Sequence, residues 1–127
     1  MLELTNFLQN RLSKNLPGQE AQIKMAPEPV AGGQPRKLDA PEHAHQSSVL
    51  VLLFPNEDHK LELILTVRSH DIDHGGQISF PGGRAEDNET SEKTALREAH
   101  EEIGIDPESV TILGQLSDLY VRHSNNL

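Results

Sequence analysis

Glu98, Glu101 and Glu102 stand within five positions of one another in the run REAHEEIG. On a helix, residues at i, i+3 and i+4 share one side, so the three carboxylates would project together from a single turn. Like charges at that spacing destabilise a helix by roughly a few tenths of a kcal/mol per pair unless a cation neutralises them. Carboxylate oxygens are hard donors, and the chain has no cysteine, so the ion they would select is Mg2+ or Mn2+ rather than zinc. The chemistry open to such a group is metal-assisted attack of water on a phosphorus centre.

These carboxylates need a helix to carry them, and local signals supply its ends. Thr90 can cap the start with Glu92 in the first turn, and Gly104 followed by Pro107 stops it. Ala95, Leu96, Ala99 and Ile103 form a small-residue apolar stripe on the side opposite the acids, suited to close packing on a sheet. Glu89 and Arg97 lie outside the trio, and an ion pair between them would tie the preceding loop to the helix. A run such as EAHEE is by itself most often a solvated helix face. Here it belongs to a longer pattern, because Gly83, Glu89, Arg97, Glu98, Glu101, Glu102 and Gly104 fit the spacing G-x5-E-x7-R-E-x2-E-E-x-G. Chance would produce it in a chain of this length with odds of about one in a million.

That segment resembles the Nudix box of the Nudix hydrolases. Ala99 departs from the pattern, since the family usually has a larger aliphatic residue there, a change that concerns packing and not the carboxylates. The resemblance implies an α/β fold, a Nudix-type α/β/α sandwich with a mixed sheet, and hydrolysis of a nucleoside diphosphate linked to another group. It implies Mg2+ or Mn2+ held by the carbonyl of Gly83 with Glu98, Glu101 and Glu102. Catalytic roles are implied for Glu98, Glu102, Arg97 and Glu89, with Glu98 or Glu102 a candidate general base. Related enzymes often place that base in a loop beyond the box.

Upstream, Leu65-Thr66-Val67-Arg68-Ser69 and the stretch His74-Gly75-Gly76-Gln77-Ile78-Ser79-Phe80-Pro81-Gly82-Gly83 resemble the coenzyme A diphosphatase branch of that family. By residue type alone, Arg68 reads first as a surface arginine, His74 and Gln77 serve a turn as readily as a ligand, and Phe80 reads as core. The branch resemblance implies that Arg68, His74, Gln77 and Gly82 meet the substrate. The products from coenzyme A would then be 4'-phosphopantetheine, or its acyl form, and adenosine 3',5'-bisphosphate. Two alternatives remain: a diphosphatase for a nucleotide sugar or dinucleotide, and a non-catalytic binding module on the same fold.

The 127 residues suit one domain with a modest core. A net charge of −9 without a basic stripe argues against nucleic acid as a partner. It also makes a cation necessary for binding an anionic diphosphate. No signal peptide, bilayer-length apolar run or lipidation motif is visible, so the expectation is a cytoplasmic protein without a membrane partner.

Leu4, Leu8, Leu12 and Leu16 recur every four residues until Pro17-Gly18, which predicts an amphipathic N-terminal helix over 1–16. Residues 17–47, with five of the eight prolines, read as a connector, and 48–127 as a partial Nudix hydrolase domain. His43 and His45 lack a third ligand nearby and read as a surface pair. Ser48 to Phe54 reads as a buried central strand with Leu61 to Val67 as its hairpin partner, and Val110 to Leu113 and Leu116 to Val121 as further strands. By the resemblance, Ser124-Asn125 would lead into another core strand, with roughly 50–60 residues to follow in a domain of ordinary size. An uncovered central edge would favour a homodimer or larger assembly.

Overall fold

The computed structural model describes residues 2–26, 33, 38–67, 76–121 and 124–127. They form two compact units, Gln46–Val110 and the pair of segments Met1–His45 and Thr111–Leu127.

The first unit carries the acidic helix. Its strands are β1 (Ser47–Val49), β2 (Leu53–Pro55), β3 (Leu61–Leu63), β4 (Thr66–Val67), β5 (Ile78–Ser79) and β6 (Gly82–Arg84). They pair antiparallel as β1 with β6, β2 with β3 and β4 with β5. The β1–β6 register sets Ser48 opposite Gly83, and the ladder is extended at either end by Leu50 N–H to the Pro81 carbonyl (2.8 Å) and Ala85 N–H to the Gln46 carbonyl (2.9 Å). In the β2–β3 turn, Asn56 Oδ1 accepts from the backbone N–H groups of Asp58 (3.0 Å) and Lys60 (2.9 Å). That double acceptance replaces backbone bonds the tight turn cannot make.

The expected single strand from Ser48 to Phe54 is two strands, β1 and β2, and the return segment Leu61 to Val67 likewise divides into β3 and β4. Each half pairs with a different partner, so the ladder cannot run through. Nor is the run buried on both faces. Leu50 is buried and Ser48, Leu52 and Phe54 are half-buried, whereas Val49, Val51 and Leu53 are exposed. This period-two pattern belongs to a sheet covered on one side.

The covering element is α3 (Ser91–Ile103), which packs on β1 and β6. Thr94, Ala95 and Ala99 are its buried residues, and Leu96 and Ile103 are half-buried. Small side chains bring the helix axis close to the strands, where two glycines of β6 offer no side chain to hold it off. With Leu50 and Pro81 these residues make a small core between the helix and the β1–β6 pair.

In the second unit α1 spans Leu2–Leu12 and ends four residues before Leu16, with Ser13 Oγ donating to the Asn10 carbonyl at 2.9 Å. A short α2 (Gln19–Gln22) and a 3-10 turn (Ile23–Met25) follow. Gly18 N–H donates to Ser117 Oγ (3.1 Å) and Gln22 Nε2 to the Asp118 carbonyl (2.8 Å). The segments Val110–Leu113 and Leu116–Val121, expected as strands, contain none. A β-prone run becomes a strand only where a ladder partner is available, and here only Val121 forms an isolated bridge, to Asn126. Parallel pairing among the described residues is confined to the bridge between His45 and Asn126. His43 and His45 are exposed and serve through their backbones, His45 N–H reaching the Asn125 carbonyl at 2.8 Å. Among the described residues no helix is long and apolar enough to cross a membrane.

Candidate active site

The site is assembled by β6, the loop that follows it, and α3. Thr90 has extended backbone angles and its hydroxyl accepts from Lys93 N–H at 3.3 Å, starting the helix. Gly104 ends it in the left-handed conformation (φ 70°), its N–H returning to the His100 carbonyl at 2.9 Å. Beside that cap, His100 Nδ1 lies 2.7 Å from the Ile105 carbonyl, which requires the tautomer protonated at Nδ1. The chain reverses between Glu86 and Glu89 with Asn88 at φ 65°, a conformation Asn tolerates better than most residues, and Glu89 N–H donates to the Glu86 carbonyl at 3.1 Å.

Arg97 is the hub. Its Nε and Nη2 grip Glu89 side-on, at 2.9 Å to Oε1 and 3.0 Å to Oε2. Nη1 donates to Oε1 of Glu98 (2.9 Å) and of Glu101 (3.4 Å), and Nη2 also donates to the Arg84 carbonyl (3.0 Å). Five donor contacts thus use all five N–H groups of the guanidinium. The side chains of Glu89, Arg97 and Glu98 are only 17%, 23% and 18% exposed, so these charge-assisted bonds are shielded from water. Glu101, at 56%, is much more open and its contact correspondingly weak.

The carboxyl of Glu89 is held at about 2, well below the usual carboxylate range. The side-chain bonds from Arg97 are the largest cause, joined by the backbone N–H of Glu86 and the Thr94 hydroxyl, while partial burial opposes them. Arg97 is shifted upward by its bonds to Glu89 and then Glu98, so it stays charged at any pH the fold survives.

The three glutamates keep spare acceptor capacity. Glu98 and Glu101 each commit Oε1 to Arg97, and Glu102 commits Oε2 to Gly82 N–H at 3.2 Å. One oxygen of each is left uncommitted, and three anionic oxygens from one helix turn are a donor set suited to a hard divalent cation. Among the described residues no three acidic or histidine side chains converge closely enough to enclose an ion, so chelation requires these carboxylates to turn toward one another. Gly83 lies against one of these carboxylates. A Cβ there would fall 2.5 Å from both carboxylate oxygens of Glu98, so any larger residue would displace that carboxylate.

Of the residues implicated by sequence, the structure brings Glu89, Arg97, Glu98 and Glu101 into one hydrogen-bonded network and joins Gly82 to Glu102. Gln77 is exposed just before β5 and makes no hydrogen bond to that network among the described residues. Arg68 and His74 lie outside the described residues. Two participants went unnoticed in the sequence. One is the backbone carbonyl of Arg84, for which side-chain identity gives no signal. The other is Thr94, fully buried, whose hydroxyl donates to Glu89 Oε2 at 3.0 Å. A threonine interrupting a small-residue helix face three positions before Arg97 was its available signal.

The NUDIX domain family matches residues 44–126. "Nudix hydrolase 15, mitochondrial" of Arabidopsis thaliana is 41% identical over 80 residues, covering 61% of this chain and 28% of the relative. "Nudix hydrolase 3" of Caenorhabditis elegans is 40% identical over 96 residues, covering 75% of this chain and 40% of the relative. "Peroxisomal coenzyme A diphosphatase ndx-8", also of Caenorhabditis elegans, is 39% identical over 74 residues, covering 55% and 32% respectively. The chain therefore spans less than half the length of each of these relatives.

Proposed function

The chain belongs to the Nudix family, and from that premise we propose that it carries the metal-binding and catalytic part of a hydrolase for nucleoside diphosphate linkages, with coenzyme A or an acyl-CoA as substrate. The observation that carries the proposal is the Arg97 hub, which holds two carboxylates of one helix turn, with Glu98 seated against Gly83. Support for the substrate comes from the LTVRS and HGGQISFPGG segments and from similarity to a relative named as a coenzyme A diphosphatase.

Glu98, Glu101 and Glu102, with the Gly83 carbonyl, would hold Mg2+ or Mn2+. When bound, such an ion neutralises charge on the diphosphate and makes a coordinated water more acidic. The protein's own groups do the rest. Arg97 holds Glu98 and Glu101 by one oxygen each, leaving the second oxygen of each to turn toward the ion. Glu102 keeps Oε1 uncommitted while its Oε2 accepts from Gly82 N–H, and Glu102 or Glu98 would take the proton of the attacking water. Arg68, His74, Gln77 and Gly82 are assigned to the substrate.

The test is incubation of this chain with coenzyme A and either Mg2+ or Mn2+, following adenosine 3',5'-bisphosphate. Metal-dependent release is the expected result. Turnover of nucleotide sugars or dinucleotides with none of coenzyme A would move the substrate assignment, and no turnover of any nucleoside diphosphate derivative would overturn the catalytic reading.

A further inference from the structure

Arg97 reaches the acidic face, but its own anchor, Glu89, is positioned from beneath the helix. Glu89 Oε2 receives three bonds, each of 3.0 Å, from Glu86 N–H, Thr94 Oγ1 and Arg97 Nη2. Two of these come from groups whose positions follow from loop closure and ion pairing. The third comes from a side chain with 0% exposure, where no water can take over a lost bond.

Helical threonines can return their hydroxyl to a carbonyl three or four residues back. Thr94 does not: the Thr90 carbonyl takes Thr94 N–H at 2.9 Å, and the hydroxyl is directed to the carboxylate instead. A continuous path results, from the buried Thr94 hydroxyl to Glu89, from Glu89 to the guanidinium, and from the guanidinium to Glu98 and Glu101.

We propose that Thr94 is a positioning residue for the acidic face: its hydroxyl fixes the tilt of the Glu89 carboxylate, which sets the plane of Arg97 and thereby the direction of Glu98 and Glu101. The inference rests on the proposed metal-binding role of those glutamates and adds a determinant outside the sequence pattern that identified them. Its physical basis is rigidity. The carboxylate that Arg97 grips side-on is also held at Oε2 by two further donors, and with one of those donors lost it can swivel, carrying the guanidinium with it.

The experiment compares Thr94→Val, which keeps the shape and removes the hydroxyl, with Thr94→Ser, which keeps the hydroxyl and removes the methyl. Mn2+ alone is the probe, with binding read by electron paramagnetic resonance of the free ion, and kcat and KM for coenzyme A measured alongside. Thermal unfolding confirms that each variant is folded. Thr94→Val should weaken Mn2+ binding by about 3- to 10-fold, less than the roughly 10- to 100-fold typical of groups bonded directly to a metal ligand because Thr94 acts through Glu89 and Arg97, and Thr94→Ser should restore it to within about 2-fold. The loss should fall on kcat and on the Mn2+ requirement rather than on KM for the nucleotide.

Unchanged Mn2+ binding in a folded Thr94→Val variant would overturn the proposal. So would a Thr94→Ser variant as impaired as Thr94→Val, since the methyl and not the hydroxyl would then matter. Failure of the hydrolase reading looks different: the parent chain would bind Mn2+ and turn over nothing, and the Thr94 series would still be decided by the binding data. A parent chain that binds no Mn2+ would overturn both.

Discussion

Two helices of similar length in this chain have opposite fates. The 11-residue α1 carries Leu2, Leu4, Leu8, Leu12 and Phe7 and buries no residue, whereas the 13-residue α3, much richer in charge, buries Thr94, Ala95 and Ala99. Hydrophobic content therefore does not decide which helix is anchored. Fit does: alanine and threonine let the backbone of α3 approach glycine-bearing β6, and capping at both ends with an ion-pair hub locks the helix in place. Large leucines on α1 remain half-buried at best, with Leu2 75% and Phe7 64% exposed.

The contrast can be broken most sharply on the acidic side of α3. Replacement of Glu101 by Gln is expected to lower turnover of coenzyme A by at least about 100-fold, while its open, 3.4 Å contact with Arg97 costs the fold less than about 1 kcal/mol in urea unfolding. Retained turnover would remove Glu101 from the metal set. On the packed side, Ala95→Leu should destabilise the unit by about 1–3 kcal/mol, because three extra carbons have no space at a position that is 6% exposed. A neutral result would mean that the approach of α3 is not limited by side-chain size.

Acid provides a third test. The folded carboxyl of Glu89 lies near 2 against an ordinary value of 4.5, so its contribution to stability is fully present above about 4.5 and is lost as pH falls toward about 2. Glu89→Gln removes that dependence. The parent should lose stability through this window more steeply than the variant, and superimposable acid limbs in denaturant titrations would show that Arg97 does not hold Glu89 in solution. The smallest effect is expected in α1, where Phe7→Ala should change unfolding free energy by no more than about 0.5 kcal/mol. A larger loss would show that α1 is anchored as firmly as α3.

Much of α3 was legible from neighbouring residues. Thr90 and Gly104 mark its ends by capping rules that operate over a single turn, and both act in the structure as caps. The pairing of Glu89 with Arg97 was likewise readable, from opposite charge at a spacing that a loop followed by a helix can close. Other elements were less accessible. The run Ser48 to Phe54 is apolar throughout and carries no mark of the break between β1 and β2, because that break comes from a change of partner between β6 and β3. Val110 to Val121 has the composition of strands and makes none, since propensity cannot supply a ladder partner.

The sequence by itself determined the helix, the side on which its three carboxylates stand, and the residue types able to hold a divalent cation, because these depend on spacing and chemistry within about twenty positions. Only the tertiary structure decided that all five N–H groups of Arg97 are occupied, that the Arg84 carbonyl is one of their acceptors, that Gly83 lies against the Glu98 carboxylate, and that a buried Thr94 hydroxyl donates to Glu89. Those outcomes depend on which surfaces the folded chain brings within 3 Å or so of one another, a distance set by packing and not by order along the chain.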